Sequence, residues 1–431
     1  MKTVSIIGAG PAGLFAAYKL ATESQYKIKV RVIDEGGTVE QRVLSKDNLH
    51  GMGGGGLMSD GKLNFDIRVG NNLGEVLSQA ENYRLTAEVE SIFKKFGAVE
   101  SSLNSEEAKA LERKALQYGI EFVYARSGHI GTNKLAPLIR DIQGFLEERE
   151  VEFVCNKEIK KLEEIESDFF ILAPGRVGVS SKWMEEVLSE NKIPYSYRPV
   201  DIGVRIEVPS IITDHITSIS RDMKCYIRTK TYQDRVRTFC TCPNGFVRQE
   251  SHNGFKTVNG HSESGRSTNN TNFALLTTVK LTEPLTNSNQ FARNISSAFH
   301  DLSDGKTLAQ RWGDLIRYQR SRENKQKEYN FQPTLTDVVW GDLALAMPAR
   351  CVSNIIEGVQ KLDNIIPGLA SDATILHAPE IKFHGLQIPT SEYLGVEKRI
   401  YVAGDGSGFS RGIVGAAASG LRAAEGILKE L

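Results

Sequence analysis

The first 35 residues constrain the fold more than any other part of the chain. A short apolar run at residues 4–7 leads into the glycine-rich sequence Gly8-Ala9-Gly10-Pro11-Ala12-Gly13, and helix-compatible residues follow it. A second β-rich run ends at Asp34-Glu35, where Asp34 lies 21 residues after Gly13. This order of strand, glycine turn, helix, strand and acid is typical of a dinucleotide-binding βαβ unit.

At each of the three motif positions in this turn, there is a physical reason for the residue to be glycine. Gly8 allows the tight turn, Gly10 lets a pyrophosphate approach the backbone, and Gly13 lets the helix pack closely on the strand. The helix N-terminus offers N–H groups and the positive end of a dipole to phosphates. The Asp34 carboxylate can accept hydrogen bonds from ribose hydroxyls. The sequence therefore predicts that a dinucleotide binds here.

A similar pattern recurs near the C-terminus. Residues 399–403 are predicted as a strand, Gly404-Asp405 and a glycine turn follow, and a helix of small residues begins after Gly412 with Ile413 and Val414. A third segment, the apolar run at residues 169–173, ends in Pro174-Gly175. These segments are the second and third candidate contacts with the same cofactor.

The C-terminal segment resembles the second FAD contact of the glutathione-reductase-like flavoproteins. That resemblance implies that the Asp405 carboxylate binds a ribityl hydroxyl and that the following helix faces the flavin pyrimidine edge. The helix dipole at that edge would stabilise anionic reduced flavin. Residues 169–175 resemble the middle motif of the same superfamily, with Pro174 in place of the usual Thr. The three motifs in this order predict FAD as the cofactor.

Longer strings resemble the uncharacterised FAD-dependent dehydrogenase family, the NAD(P)/FAD-dependent oxidoreductases within that superfamily. Residues 53–63 are similar to its G-G-A-G-x-x-S-D-G-K-L segment and residues 129–135 to its H-I-G-T-D-K-L. Residues 202–207 resemble its I-G-V-R-x-E, and residues 238–247 its T-F-C-x-C-P-G-G-x-V, with Asn244 in place of a glycine. His261-Ser262 stands where the family often has Met-Ser, and residues 378–384 depart from its pattern. The resemblance implies a fold, a cofactor and a reaction class, but no substrate.

The motifs and this resemblance together define a set of expected cofactor-binding residues. The glycines at residues 51–56 can form an anion-binding nest of backbone N–H groups. Lys62 either contacts substrate or flavin or is a solvated lysine. The expected residues are Gly8, Gly10, Pro11, Ala12, Gly13, Asp34, Glu35, Gly54, Gly55, Ser59, Gly61, Lys62, Ile159, Pro174, Gly175, Gly404, Asp405, Gly412, Ile413 and Val414.

The pattern along the chain predicts an α/β protein with two domains. Residues 1–195 and 346–431 are expected to form a discontinuous, Rossmann-like FAD-binding domain with a helical insertion at residues 66–126. Polar and apolar side chains alternate in an extended stretch from about residue 196 to 290, and residues 196–345 are therefore expected to form an inserted, mainly antiparallel β domain on the substrate side. Residues 252–272, dense in Gly, Asn and Ser, are predicted as either a mobile connection or an active-site loop.

His261 is the expected proton-transfer group, with Asn259 and Arg266 beside it. An unperturbed histidine pKa of ~6.5 suits acid–base work at neutral pH. A surface-loop histidine is the alternative interpretation of this residue. His377 and His384, near the last cofactor strand, are the second choices.

Two further features each allow two interpretations. Arg205, on an alternating strand, either holds a substrate carboxylate or faces solvent. Cys240 and Cys242 are separated by one residue on a predicted strand, where a disulfide would form only with strain. They are therefore predicted to be buried structural thiols rather than a redox pair. The spacing of Cys and His predicts no zinc site, and we expect no metal.

Charge and hydropathy limit the partners. Lys plus Arg and Asp plus Glu both number 53, and this zero net charge argues against nucleic acid as the main partner. No uncharged apolar run approaches the ~20 residues of a membrane span, and the N-terminus lacks a signal peptide's apolar core. A soluble, cytoplasmic protein without a membrane partner is expected.

The sequence as a whole predicts an FAD-dependent oxidoreductase, a dehydrogenase or reductase. Hydride would pass between an organic small-molecule substrate and flavin N5, and an external electron donor or acceptor is left open. A flavin monooxygenase or oxidase is the alternative within enzymes. A flavin-containing RNA-modifying protein and a non-catalytic FAD-binding protein are the alternatives from other classes.

Overall fold

The computed structural model describes residues 1–45, 47, 50–59, 61–98, 105–176, 179–252, 255–262 and 266–431. The helices of these residues are α1 (Pro11–Glu23), α2 (Val39–Ser45), α3 (Gln79–Lys95), α4 (Ser105–Gln117), α5 (Thr132–Glu147), α6 (Val179–Glu190), α7 (Ser210–Thr217), α8 (Ser288–Ser303), α9 (Trp312–Ile316), α10 (Glu323–Gln326), α11 (Ala349–Leu362) and α12 (Ile413–Glu430). None of these helices has the length and apolar character needed to cross a membrane.

The strands of the same residues are β1 (Lys2–Ile7), β2 (Ile28–Ile33), β3 (Lys62–Asn64), β4 (Ile120–Phe122), β5 (Ser127–His129), β6 (Glu152–Val154), β7 (Phe169–Leu172), β8 (Ser196–Tyr197), β9 (Val200–Pro209), β10 (Cys225–Arg228), β11 (Arg235–Cys242), β12 (Phe246–His252), β13 (Phe255–His261), β14 (Asn270–Val279), β15 (Thr307–Arg311), β16 (Val338–Trp340), β17 (Ile375–Lys382), β18 (Leu386–Gln387), β19 (Gly395–Glu397) and β20 (Ile400–Val402).

The chain forms two compact units. The first comprises Met1–Ser102, Ala125–Arg198 and His384–Leu431, and the second comprises Leu103–Tyr124 and Pro199–Phe383. The second unit thus extends beyond the boundary predicted at residue 345, because β17 pairs with both β9 and β15. The predicted helical insertion is also divided, since β4 pairs with β10 and joins the second unit.

In the first unit, the described strands form a sheet in the order β19-β20-β7-β1-β2-β6. All neighbours are parallel except β19 and β20. The apolar residues of β1 and β7 are buried, as in a parallel sheet covered on both faces. Helices α1 and α12 pack so closely that a Cβ on Gly420 would lie 2.0 Å from the Ala12 carbonyl oxygen. The prediction of an α/β fold with a parallel sheet and helices is confirmed.

In the second unit, the described strands form a sheet in the order β16-β15-β17-β9-β14-β11-β10-β4. Its pairs are antiparallel except β15 with β16. Alternate residues of β9, from Ile202 to Val208, lie in an apolar core that also contains Ile355 and Val359 of α11. Three of the intervening residues of β9 are buried and charged, namely Asp201, Arg205 and Glu207, and the other is Gly203.

The predicted loop over residues 252–272 is wrong for much of its length. Residues 255–261 form β13, which pairs with β12 in a hairpin that places Phe246 opposite His261. Val247 and Val258 are buried in this hairpin, and their packing outweighs the low strand propensity of the neighbouring Asn and Gly residues. Residues 253, 254 and 263–265 of the predicted loop lie outside the described residues.

Candidate functional site

The turn from β1 to α1 is held by contacts that only glycine allows. Gly8 has a φ of +110°, and a Cβ there would lie 2.1 Å from the Ala173 carbonyl oxygen. The Gly8 N–H donates to the Ile33 carbonyl oxygen at 2.7 Å. A Cβ on Gly13 would lie 1.9 Å from the Gly8 carbonyl oxygen. These two glycines let the strands and the helix come together at the turn.

Gly10 differs from both neighbours in the motif. Its φ of −75° and ψ of −176° suit any residue, and a Cβ there would make only an ordinary contact, 3.8 Å from Gly54 Cα. Gly55 and Gly412 are alike in this respect, since no described atom lies within 4 Å of a Cβ at either position. Neither the backbone nor the packing of the described residues therefore requires glycine at these three positions.

The Asp34 carboxylate connects three parts of the first unit. Its Oδ2 accepts a hydrogen bond from the Ala9 N–H at 2.7 Å, and its Oδ1 accepts from Gly36 and Gly51 at 2.9 and 2.8 Å. Because a carboxylate offers about four acceptor positions, these three bonds leave room for one ribose contact. The adjacent Glu35 Oε1 lies 3.7 Å from Nε2 of His50.

Residues 51–56 lie against the β1–α1 turn. The Gly53 N–H donates to the Ala9 carbonyl oxygen at 2.9 Å. Gly54 has a φ of +53°, and a Cβ there would lie 2.9 Å from Gly10 Cα. The predicted residue Gly54 is thus brought next to Gly10 by the tertiary structure, and Gly55 follows it in the chain.

Arg42 is a residue of this site that the sequence analysis missed. Its buried guanidinium donates from Nη1 to the carbonyl oxygens of Met52 and Gly54 at 2.6 and 2.9 Å. Burial lowers the pKa of Arg42 below its usual value, and the negative charges of Asp47 and Asp34 oppose that shift. No motif marks this arginine, because its acceptors are backbone carbonyls of a loop whose course the sequence does not show.

The segment after residue 56 continues the same turn. The Ser59 hydroxyl donates to the Gly56 carbonyl oxygen at 2.7 Å and accepts from the Gly61 N–H at 3.1 Å. Gly61 has a φ of +71°, and its half-buried neighbour Lys62 begins β3. The predicted residue Ile159 is 4% exposed in the hydrophobic core of the first unit.

The C-terminal motif lies at the same edge of the parallel sheet. Because β1, β7 and β20 are parallel neighbours, the residues that follow them, including Pro174-Gly175 and Gly404-Asp405, meet at one edge. The Asp405 carboxylate accepts a hydrogen bond from the Ser410 hydroxyl, and its Oδ2 lies 3.5 Å from Nε of Arg176. The structure thus gathers the three sequence motifs into one site.

The helices α1 and α12 both begin at this edge with a glycine. Gly10 precedes α1 and Gly412 precedes α12, and neither helix has a side-chain cap. Pro11 is the first residue of α1, where a missing N–H costs nothing, and Ile413 and Val414 begin α12. The positive ends of both helix dipoles therefore lie beside Gly10 and Gly412, two of the glycines at which the described residues leave room for a Cβ.

The predicted proton-transfer residues lie in the second unit. Asn259 is held in place: its Oδ1 accepts from the Gly260 N–H at 2.9 Å, and its Nδ2 donates to Glu250 at 2.9 Å. His261 is exposed at the end of β13. Arg266 is exposed too, with its guanidinium 4.9 Å from the ring centre of Phe246. Their part in proton transfer stays a prediction.

Both interpretations of Arg205 are wrong. Its side chain is fully buried, with Nε and Nη2 donating to the two Glu380 carboxylate oxygens at 2.6 and 2.8 Å. Nη1 donates to the Asn272 side chain at 2.9 Å. Burial disfavours the charge, but Glu380 outweighs it and raises the pKa of Arg205 above its usual value. The guanidinium therefore neither faces solvent nor offers its fork to a substrate carboxylate.

The two second-choice histidines are buried. His377 is enclosed in the sheet of the second unit, with Nε2 2.9 Å from Glu207 Oε2. Glu207 Oε1 also accepts from Asn270 and from the Thr334 hydroxyl at 2.9 and 2.6 Å. Burial would raise the pKa of Glu207, but its hydrogen bonds, led by that of His377, lower it overall. His384 is buried in the first unit.

The two closely spaced cysteines are not in a disulfide. Cys242 is buried, whereas Cys240 is partly exposed and has a left-handed φ of +47°. The register of β11 against β14 shifts between Phe239 and Cys242, so the regular alternation assumed for this strand is interrupted there. The prediction of a buried thiol holds for Cys242 and not for Cys240.

Comparison with known proteins gives a family match for the second unit. Residues 199–382 match the family described as FAD-dependent protein, C-terminal domain-like. This match confirms FAD as the cofactor that the sequence predicts. The chain is also 25% identical, over 480 aligned residues, to an uncharacterized protein of Clostridium beijerinckii. That alignment covers 99% of this chain and 80% of the relative.

Solved structures give weaker likenesses. L-proline dehydrogenase from P. horikoshii is 13% identical, with a TM-score of 0.42 over 100% of this chain and 94% of that chain. CtdE in complex with FAD is 11% identical, with a TM-score of 0.34 over 100% of this chain and 84% of that chain. Both TM-scores are below 0.5, so neither likeness supports a conclusion about this chain.

Proposed function

We propose that this chain is an FAD-dependent oxidoreductase that transfers hydride between an organic small-molecule substrate and flavin N5. The observation that carries the proposal is the contrast at the glycine turn. Gly8 and Gly13 are required by protein contacts at 2.1 and 1.9 Å, whereas a Cβ at Gly10 would meet no described atom closer than 3.8 Å. A pyrophosphate that approaches the backbone supplies the reason for glycine there.

The residues at the edge of the parallel sheet fit the parts of FAD in a Rossmann-like arrangement. The N–H groups at the start of α1, with Gly10 and Gly55, would hold the pyrophosphate. Asp34 would accept one ribose hydroxyl, and Asp405 would accept a ribityl hydroxyl. The start of α12, at Ile413, would face the flavin pyrimidine edge, where a positive helix end favours negative charge. When bound, FAD supplies the hydride-accepting carbon–nitrogen system that side chains lack.

The rest of the proposal concerns partners. The family match over residues 199–382 supports a flavin-related role for the second unit, and we assign it the substrate side. The substrate is a small molecule, and an external donor or acceptor completes the cycle. We propose that the protein has no nucleic acid and no membrane as a partner. We also propose that it is located in the cytoplasm.

The proposal is tested by identifying the cofactor and then measuring how fast different acceptors reoxidise the reduced flavin. The purified protein, or the protein reconstituted with FAD, is expected to release FAD rather than FMN on denaturation. After anaerobic reduction by dithionite, mixing with oxygen should reoxidise the flavin slowly and mixing with an artificial acceptor dye quickly. A protein that retains no FAD contradicts the proposal. Rapid reaction with oxygen would instead favour a flavin oxidase or monooxygenase.

A further inference from the structure

The turn that follows β7 touches two other turns of the first unit. Its Ala173 carbonyl oxygen would lie 2.1 Å from a Cβ on Gly8, and its Gly175 carbonyl oxygen would lie 2.2 Å from a Cβ on Gly406. Arg176 is the residue directly after Gly175. Arg176 therefore lies at the same edge of the parallel sheet as the glycine turn after β1 and the turn after β20.

The guanidinium of Arg176 has N–H donors that can serve a ligand. Its side chain is 22% exposed, and its Nε lies 3.5 Å from Asp405 Oδ2, which is longer than a usual hydrogen bond. Among the residues that the structure describes, Asp405 is its only polar partner. Arg198 of the same unit differs, because both of its Nη atoms donate to Glu75, at 2.9 and 2.6 Å. Since a guanidinium carries several N–H donors, Arg176 can bind a further acceptor.

The backbone next to Arg176 leaves room for a ligand. Gly175 has a φ of +82°, and no described atom lies within 4 Å of a Cβ at that position. The same is true of a Cβ on Gly412, which precedes α12. A ligand can therefore approach the backbone at Gly175, directly beside Arg176.

The pyrophosphate is the part of FAD whose chemistry fits Arg176. The ribityl chain and the oxidised flavin ring are uncharged, whereas the pyrophosphate is anionic. The helix end that would hold it supplies only about half an elementary charge. A guanidinium adds a full positive charge and can donate parallel N–H bonds to phosphate oxygens.

We propose that Arg176 binds the pyrophosphate of FAD through its Nη groups, while its Nε keeps the contact with Asp405. The inference rests on the proposed function and adds to it a cofactor-binding residue that the sequence motifs do not include. Asp405, as the acceptor of a ribityl hydroxyl, would bind the part of FAD that is joined directly to the pyrophosphate. Neighbouring groups of the cofactor would thus meet neighbouring side chains.

The test measures the binding of FAD and ADP to the full-length protein after its own FAD has been removed. Quenching of flavin fluorescence follows FAD binding, and ADP is titrated as a competitor. ADP carries the adenosine and the pyrophosphate of FAD but neither its ribityl chain nor its flavin. The affinity for ADP therefore reports on the pyrophosphate and not on the contact of Asp405 with the ribityl chain.

The variants separate the charge of Arg176 from its shape. Arg176→Gln and Arg176→Met remove the charge, and Arg176→Lys keeps it without the planar fork of N–H groups. Arg31→Gln is the matched control, because the Arg31 side chain is 24% exposed and also has a carboxylate partner, Glu152 at 3.2 Å. Arg31 lies within β2 and not in a turn after a strand.

Arg31→Gln is expected to bind each ligand as tightly as wild type does. Arg176→Gln and Arg176→Met should each weaken the binding of both FAD and ADP about tenfold or more, because charge-assisted hydrogen bonds are lost. Arg176→Lys should weaken it less. Thermal melts identify a neutral variant that has not folded, and the other neutral variant then decides.

Four outcomes would overturn the proposal. The first is an unchanged affinity for FAD in the neutral variants. The second is a loss for FAD without a loss for ADP, because Arg176 would then act on the flavin, on the ribityl chain or through Asp405. The third is ADP that does not displace FAD from wild type, and the fourth is failure of both neutral variants to fold, which would indicate a structural role.

The inference and the proposed function fail through different measurements. Tight FAD binding that does not depend on Arg176 removes only the inference and leaves the oxidoreductase proposal standing. Binding of FAD and ADP that depends on Arg176, in a protein whose reduced flavin reacts rapidly with oxygen, keeps the inference and favours an oxidase or monooxygenase instead.

Discussion

Gly8, Gly10 and Gly13 are close in the chain but are glycines for different physical reasons. At Gly8 both the positive φ and the carbonyl oxygen of Ala173 exclude a side chain. At Gly13 the exclusion comes from the Gly8 carbonyl oxygen. At Gly10 the described protein atoms leave room for a Cβ. Substitutions at Gly8 and Gly10 should therefore separate stability from cofactor binding.

Gly10→Val is expected to fold with little loss of stability and to lose bound FAD. The valine Cβ would make only an ordinary contact, 3.8 Å from Gly54 Cα, and the side chain would occupy the path of the pyrophosphate. Visible flavin absorbance per mole of protein measures the effect. Gly144→Val is the control, because Gly144 in α5 also has no described atom within 4 Å of a Cβ. Full flavin absorbance in Gly10→Val would show that the site is misassigned.

Gly8→Ala is expected to destabilise the first unit itself, by about 3 kcal/mol or more. The methyl group would lie 2.1 Å from a backbone oxygen, and the backbone would have to hold a φ of +110° with a side chain present. Urea unfolding monitored by circular dichroism measures the change. An unfolding midpoint equal to that of wild type would contradict the clash that the structure places there.

At the scale of the element, β9 is the strand that organises the second unit. It pairs with β14 on one side and β17 on the other, so both of its edges are bonded. One set of side chains packs in the apolar core. Of the others, Asp201 and Arg205 form buried ion pairs with Arg237 of β11 and Glu380 of β17, and Glu207 lies 2.9 Å from His377 of β17. Breaking such a pair leaves an uncompensated buried charge, which costs about 3–5 kcal/mol.

The buried pair of Glu207 with His377 should make stability depend on pH in the acid range. The pKa of Glu207 is lowered in the folded protein, so its carboxylate stabilises the fold above the unfolded value of about 4.5. This stabilisation is lost as the pH falls through the folded pKa.

Glu207→Gln tests this dependence. The variant should be less stable than wild type at pH 7 by about 1–3 kcal/mol, since the hydrogen bonds become neutral. The difference should begin to shrink as the pH falls below about 4.5, where the carboxylate of the unfolded chain becomes protonated, and should disappear as the pH falls through the lower pKa of the folded protein. Free energies of urea unfolding across the pH range measure it. Glu397→Gln, at an exposed glutamate, is the control. A constant difference at every pH would contradict the assignment.

At the scale of the whole molecule, the two units are built on different sheets. The first has a parallel sheet with a glycine turn between β1 and α1, and the second has a mainly antiparallel sheet. Within the described residues, the second unit shows no second strand–glycine turn–helix of the dinucleotide-binding kind.

This difference predicts that NADPH and NADH alone reduce the bound flavin slowly. A reductase that uses these nucleotides commonly holds them on a second dinucleotide-binding unit, which the described fold lacks. Anaerobic stopped-flow mixing with each nucleotide measures the rate, and dithionite serves as the positive control for reducible flavin. Bleaching of the flavin within a few turnover times by either nucleotide would refute the prediction.

The sequence by itself determined the features that are local along the chain. The glycine turn at residues 8–13, the Gly404-Asp405 turn and the alternation in β9 depend on backbone freedom and on periodicity, which neighbouring residues reveal. The α/β class follows from the same local signals. The prediction of a loop over β13 was wrong because it used only such local signals. The Gly and Asn residues of β13 favour turns locally.

Only the tertiary structure decided which distant residues meet. Arg205 and Glu380 are 175 residues apart, and nothing in the local pattern of either strand indicates their pairing. The same holds for the hydrogen bonds from Arg42 to the carbonyl oxygens of Met52 and Gly54, and for the end of the second unit at Phe383. A side chain's partner depends on strand order and register, and these are set by burial and hydrogen bonding over the whole sheet rather than by neighbours in the chain.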